Sequence, residues 1–224
     1  MKVLLLPGLD GSGILFDELI GNFPKHFNTQ ICRLDEIPCS SFIESAQYIA
    51  GTINDDKIVL IAESYSGRIA YELCRLLGKR VQHVIFIASF VSKPSLLAYG
   101  ANLLPISVLT SNSVTHWLLD KVGFSGQSQP LLLDNVFRSL SHANKDKLQQ
   151  RLNNIARLKV PSEKIETYCT YIRAREDLLV STNAVSEVRE IFPHTTVITI
   201  SGGHFIAQMA PVQCAKIIVR SFKI

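Results

Sequence analysis

Apolar residues fall along this chain in two alternating rhythms. Val3–Leu6, Ile58–Ala62 and Val84–Ala88 are unbroken apolar runs, the pattern of parallel strands covered on both faces. Asn28–Leu34, Tyr168–Ile172 and Val197–Ile200 read as further strands, the first of them weaker. Between them the spacing becomes helical. In Ser41–Ile53, Phe42, Ala46, Ile49 and Ile53 recur on one face. Ile14–Phe23, Ser66–Leu77 (closed by Gly78), Asn183–Ile191 and Val212–Phe222 also read as helices. Strand-helix alternation predicts an α/β fold, a mostly parallel sheet of about six strands flanked by helices. The alternation lapses from Lys93 to about Val160, where Leu96–Leu104, Val114–Val122, Leu131–Leu140 and Lys147–Leu158 read as helices. A helical insertion spanning about 93–163 within one domain, 1–224, is the expectation.

Composition narrows the class without naming it. The chain has 224 residues, 47% hydrophobic and 19% charged, with a net charge of +4. That is an ordinary globular balance, and the charge gives no sign of nucleic-acid binding. Cys32, Cys39, Cys74, Cys169 and Cys214 are odd in number and form no C-x-x-C pair, which argues against a disulfide framework or zinc site. The apolar run Val3–Leu6 is too short for a signal peptide, and no stretch reaches membrane-span length. A soluble, cytoplasmic protein is expected.

The chemistry concentrates at three strand ends. Ala62-Glu63-Ser64-Tyr65-Ser66-Gly67 follows the run Lys57–Ile61. A serine at a sharp strand-to-helix turn needs small neighbours two residues away on each side, and Ala62 and Ser66 meet that requirement in place of the usual glycines. Ser64 is the candidate nucleophile, although a serine here could equally cap the helix. The backbone N–H of Tyr65, next in the chain, would help hold an oxyanion. Gly202-Gly203-His204 follows a late strand, making His204 the candidate general base. His26, His83, His116, His142 and His194 lack that setting. After Tyr168–Ile172 come two adjacent carboxylates, Glu176 and Asp177, either of which could orient the histidine. The order serine, acid, histidine is that of α/β-hydrolases.

Gly8, Gly11 and Gly13 between a strand and a helix, with Asp35 after the next strand, also suggest a dinucleotide-binding loop. The spacing is G-x-x-G-x-G, however, and this motif is weak by itself. It would also leave Ser64, Asp177 and His204 unexplained.

Taken jointly, Leu4–Gly13, Ala62–Gly67, Asp177-Leu178-Leu179-Val180 and Gly203-His204-Phe205 resemble the small bacterial α/β-hydrolases of the serine esterase type. The resemblance implies an α/β-hydrolase fold with a helical cap. It favours Asp177 over Glu176 and points to the N–H of Leu9 as the second oxyanion donor. Pro7-Gly8 departs from the His-Gly common at those positions. Serine ester hydrolysis through an acyl-enzyme needs no metal or organic cofactor. Thioesterase or acyltransferase chemistry would use the same parts, and a non-catalytic binding protein on this fold is a different class of reading.

The insertion carries eight basic residues against four acidic ones, and six of the eight lie between Arg138 and Lys159. A solvated face explains such a run most simply. The sharper reading is a surface for an acidic acyl carrier protein, with Arg138, Lys147, Arg151 and Arg157 as its contacts. The chain is similar in this respect to pimeloyl-carrier-protein methyl ester esterases of biotin synthesis. The expected partner is otherwise a small ester or acyl substrate, with no nucleic acid and no membrane.

Overall fold

Six strands form one parallel sheet in the order β2-β1-β3-β4-β5-β6. They are β1 (Lys2–Leu6), β2 (Asn28–Ile31), β3 (Ile58–Glu63), β4 (Val81–Ile87), β5 (Tyr168–Ala174) and β6 (Thr195–Ile200). The computed structural model describes residues 1–39, 41–94 and 113–222. Every residue of β3 is buried, as its unbroken apolar run requires of a central strand. The edge strands β2 and β6 are mixed in burial, which matches their polar and threonine content.

Side-chain alternation sorts the core into two layers. Leu4, Leu6, Leu60, Ala62, Phe86 and Tyr171 face α2 (Phe42–Thr52), α3 (Gly67–Leu77) and α7 (Asn183–Ile191). Val3, Leu5, Val59, Ile61, Ile85 and Ile172 face α1 (Asp17–Gly21) and α9 (Pro211–Ser221). Helix α2 starts where Ser41 accepts the N–H of Glu44, satisfying one orphan donor of its first turn. Between β4 and β5 lie α4 (Ser113–Gly123), α5 (Pro130–His142) and α6 (Lys145–Arg157). Leu152 and Ile155 of α6 pack into the first layer. The helix expected over Leu96–Leu104 lies outside the described residues.

The elements differ from expectation in three places. Ile14–Phe23 is a 3₁₀ turn, Ile14–Phe16, followed by the short α1. Strand β2 ends at Ile31, because after Cys32 donates to Leu5 the chain enters a turn closed by Glu36 N–H on the Arg33 carbonyl. A four-residue helix, α8 (Ile206–Met209), stands directly after His204. Among the described residues no helix is long and apolar enough to cross a membrane.

The order has a consequence for function. The chain runs from β1 outward to β2 and back to β3 on the other side of β1. Loops leaving the carboxyl ends of β1 and β3 therefore diverge at a switch point, where open α/β sheets bind ligands.

Candidate active site

Ser64 follows β3 with φ +47°, a strained conformation for a residue with a β-carbon that persists only where its surroundings enforce it. Those surroundings do so. Ala62 and Ser66 have no solvent exposure. The Ser64 carbonyl accepts the Ser89 hydroxyl at 2.7 Å. Ser66 does more than stay small: its hydroxyl donates to the Pro7 carbonyl, tying the elbow to the loop after β1. Gly67 is required by close packing. A β-carbon there would stand 2.3 Å from Ser89 Oγ and 2.4 Å from the Phe90 carbonyl oxygen.

The Ser64 hydroxyl lies 2.9 Å from His204 Nε2. His204 Nδ1 lies 2.9 Å from Asp177 Oδ2. The second oxygen of Asp177 accepts the N–H groups of Leu179 at 2.8 Å and Val180 at 2.9 Å, so the carboxylate is held from both sides. Three residues placed by sequence at three separate strand ends are brought together in one hydrogen-bonded line. Glu176 points elsewhere. Its carboxylate accepts the N–H of Gly202, and its N–H donates to the Gly202 carbonyl. It fastens the acid loop to the histidine loop without touching the imidazole.

Electrostatics follow from burial. Burial works against a charged His204, but the charge of Asp177 and its hydrogen bond outweigh that, with help from Glu63, and lift the imidazole above its ordinary range. Burial would likewise raise Asp177. The charge and hydrogen bond of His204, with the two backbone donors, hold it below the ordinary carboxylate range instead.

The loop after β1 passes close over the serine. A β-carbon at Gly8 would lie 3.7 Å from Ser64 Cβ. Asp10, also on this loop, accepts both the N–H and the hydroxyl of Ser12, so it orders the turn. Tyr65 is buried, with its ring stacked on Phe42 at 4.7 Å. Its N–H sits at the start of the turn that leads into α3, where the helix dipole favours negative charge.

Sequence reasoning missed Glu63, the residue before the serine. It is buried, hydrogen-bonded through Oε1 to Gln208 Nε2 at 2.9 Å. Burial pushes its carboxyl up to about 7, the Gln208 bond opposes this, Asp10 adds to it and His204 opposes it. A carboxylate closing an otherwise apolar strand was the available signal.

The basic residues of the insertion divide. Arg138 and Arg157 are exposed. Lys147 and Arg151 share a helix face, as their spacing requires, but that face looks inward. Lys147 Nζ donates to the carbonyls of Asp35 and Ile37, both at 2.6 Å. The Arg151 side chain is 5% exposed and ion-paired with Asp35 at 2.5 Å. The expectation that these two contact a carrier protein is corrected on that ground. Their charges are consumed within the protein. Asp35, which stood beside the possible dinucleotide-binding loop in the sequence, is Arg151's partner. His83 is buried against Thr170, and desolvation lowers its imidazole to about 4.

No protein-family model matches the sequence, and no curated protein matches it. Solved structures do match in fold. An esterase from Exiguobacterium antarcticum superposes with a TM-score of 0.82 at 10% identity, over 98% of this chain and 91% of that one. An enol-lactonase from Burkholderia xenovorans gives 0.81 at 13% identity, over 100% and 91%. An N-acyl homoserine lactone degrading enzyme gives 0.76 at 15%, over 99% and 93%. At such identities the likeness establishes the fold: the chain has the α/β-hydrolase fold.

Proposed function

We propose that this chain is a serine carboxylic-ester hydrolase. One observation carries the reading: a serine held at positive φ on a strand-to-helix turn, in a hydrogen-bonded line with His204 and a doubly anchored Asp177 whose side chain is 6% exposed. A free serine hydroxyl is a poor nucleophile, and this line supplies the base it needs. The solved structures of similar fold include an esterase and an enol-lactonase, which supports an ester as substrate.

The chemistry follows from the geometry. Ser64 Oγ bonds to the ester carbonyl carbon while its proton passes to His204 Nε2. Asp177 keeps the other imidazole proton on Nδ1 and stabilises the imidazolium. Negative charge on the carbonyl oxygen is taken by the N–H groups of Leu9 and Tyr65, and each such donor is worth about 10²–10³ in rate. Collapse breaks the carbon–oxygen bond to the alcohol, which leaves with the proton from His204. Water, deprotonated by His204, then attacks the acyl-enzyme, and the carboxylic acid departs as Ser64 recovers its proton. The helical insertion acts as a cap over this site.

Hydrolysis of p-nitrophenyl esters from acetate to laurate, by wild type and Ser64→Ala in parallel, tests the reading. Release of p-nitrophenol by wild type and none above background by the variant is expected. Equal rates in both proteins would remove Ser64 from the chemistry.

A further inference from the structure

The N-cap of α6 and three residues along one of its faces hold the segment after β2, the loop after β1 and the Tyr65 side chain. Asn144, Lys147, Arg151 and Asn154 are spaced by three, four and three residues, which places them in one line along the helix. Asn144 caps α6 and gives its own N–H to Asp35 Oδ2 at 3.1 Å. Lys147 binds the carbonyls of Asp35 and Ile37. Arg151 Nη1 donates to the carbonyl of Leu9 at 3.0 Å and to that of Asp10 at 3.1 Å, while Nη2 takes Asp35. Asn154 Nδ2 donates to the Tyr65 hydroxyl at 3.0 Å.

Arg151 and Asn154, the C-terminal half of this line, reach the two residues proposed as donors. Leu9 would offer one N–H to the oxyanion, and Tyr65 the other. A backbone donor is only as well aimed as its peptide planes. Holding the carbonyls of both Leu9 and Asp10 fixes the planes on the carboxyl side of Leu9 and so limits how its N–H can swing. The guanidinium lies flat against Gly11, where φ is +71° and a β-carbon would stand 2.4 Å from Nη2. Arginine suits this place because its planar fork reaches two carbonyls and a carboxylate at once, which an ammonium point charge cannot imitate. Burying the charge is tolerable because the Leu9 and Asp10 carbonyls and the Asp35 carboxylate accept from it.

We infer that Arg151 and Asn154 are positioning residues for the oxyanion hole, which is correctly formed only while α6 is seated on the loop after β1 and on Tyr65. The inference rests on the esterase reading and adds to it that the insertion sets the catalytic geometry as well as covering the site.

The test compares wild type, Arg151→Lys, Asn154→Leu and, as a control on an exposed position of the same helix, Lys145→Ala. Steady-state kinetics on a p-nitrophenyl ester are measured beside binding of a trifluoromethyl ketone, which forms an oxyanion on the serine. Donors displaced rather than deleted should lower kcat about 10–100-fold in Arg151→Lys, with KM changed less than about threefold. Asn154→Leu should lose about tenfold in the same way. Ketone affinity should fall by factors parallel to kcat, and Lys145→Ala should match wild type. Circular dichroism confirms that the compared variants are folded. If Arg151→Lys does not fold, Asn154→Leu carries the comparison. Folded variants that melt earlier but keep wild-type kcat and ketone affinity would show a purely structural staple and overturn the inference, leaving the esterase reading intact. Wild type that neither cleaves esters nor binds the ketone would overturn the esterase reading, and this inference with it.

Discussion

At Asp177 and Glu176, two adjacent carboxylates have divided two tasks by direction alone. Asp177 touches the imidazole, and Glu176 clasps Gly202. Replacing Asp177 by Asn should lower kcat about 10⁴-fold by favouring the wrong tautomer. Replacing Glu176 by Gln should leave kcat within about tenfold, because an amide oxygen can still accept the Gly202 N–H. Steady-state kinetics on the two variants decide between them. The lifted imidazole pKa sets the acid side of activity: His204 must be neutral to act as base, so kcat/KM should fall with a midpoint above 6.5, the ordinary value for histidine. Glu63 makes a stability statement. Its carboxyl binds a proton more tightly in the native chain, about 7 against 4.5. Its contribution is therefore whole below about pH 4.5 and is lost as pH rises to about 7. At about 1.4 kcal/mol per tenfold change in proton affinity, the loss is on the order of 3 kcal/mol. Glu63→Gln, which keeps the neutral shape facing Gln208, Asp10 and His204, should remove that much of the decline in urea-unfolding stability between pH 5 and pH 8. An unaltered decline would mean that Glu63 is ionised throughout.

At the scale of elements, the elbow and α6 show how far a sequence can be read. Ser64, His204 and the pair Glu176 and Asp177 stood out because each follows a predicted strand, and the family resemblance, not the spacing, favoured Asp177. The small-residue rule at 62 and 66 was legible too, since it is steric. The hydrogen bond from Ser66 to Pro7 was not, because it needs two loops brought together from residues 59 positions apart. In α6, spacing told that Lys147 and Arg151 share a face. It could not tell which way the face looks, because Leu148, Leu152 and Ile155 occupy neighbouring positions and bury as well. Charge was therefore assigned to solvent, where charge usually belongs, and the acceptors that reverse this lie far off at Leu9, Asp10 and Asp35. The glycine at 67 gives an element-scale test. Gly67→Ala forces α3 away from Ser89 and Phe90 and should destabilise the protein by about 1–3 kcal/mol, read from urea denaturation.

At the scale of the molecule, the sheet is the device that gathers the site. Loops from the carboxyl ends of β1, β3, β5 and β6 supply the Leu9 loop, Ser64, Asp177 and His204, and the parallel order brings all four to one edge. The alternation of apolar runs was enough to foresee this, because parallel strands declare themselves by burial on both faces. The short helix α8 gave no periodic signal in four residues. Ser64 is the proposed nucleophile of this assembly. Incubation with a fluorophosphonate, followed by intact-mass and peptide mass spectrometry of wild type and Ser64→Ala, addresses that role most directly. One adduct per chain is expected, on the peptide bearing Ser64, and none on the variant. Wild type that stays unmodified, or a label that persists in Ser64→Ala, would contradict that role.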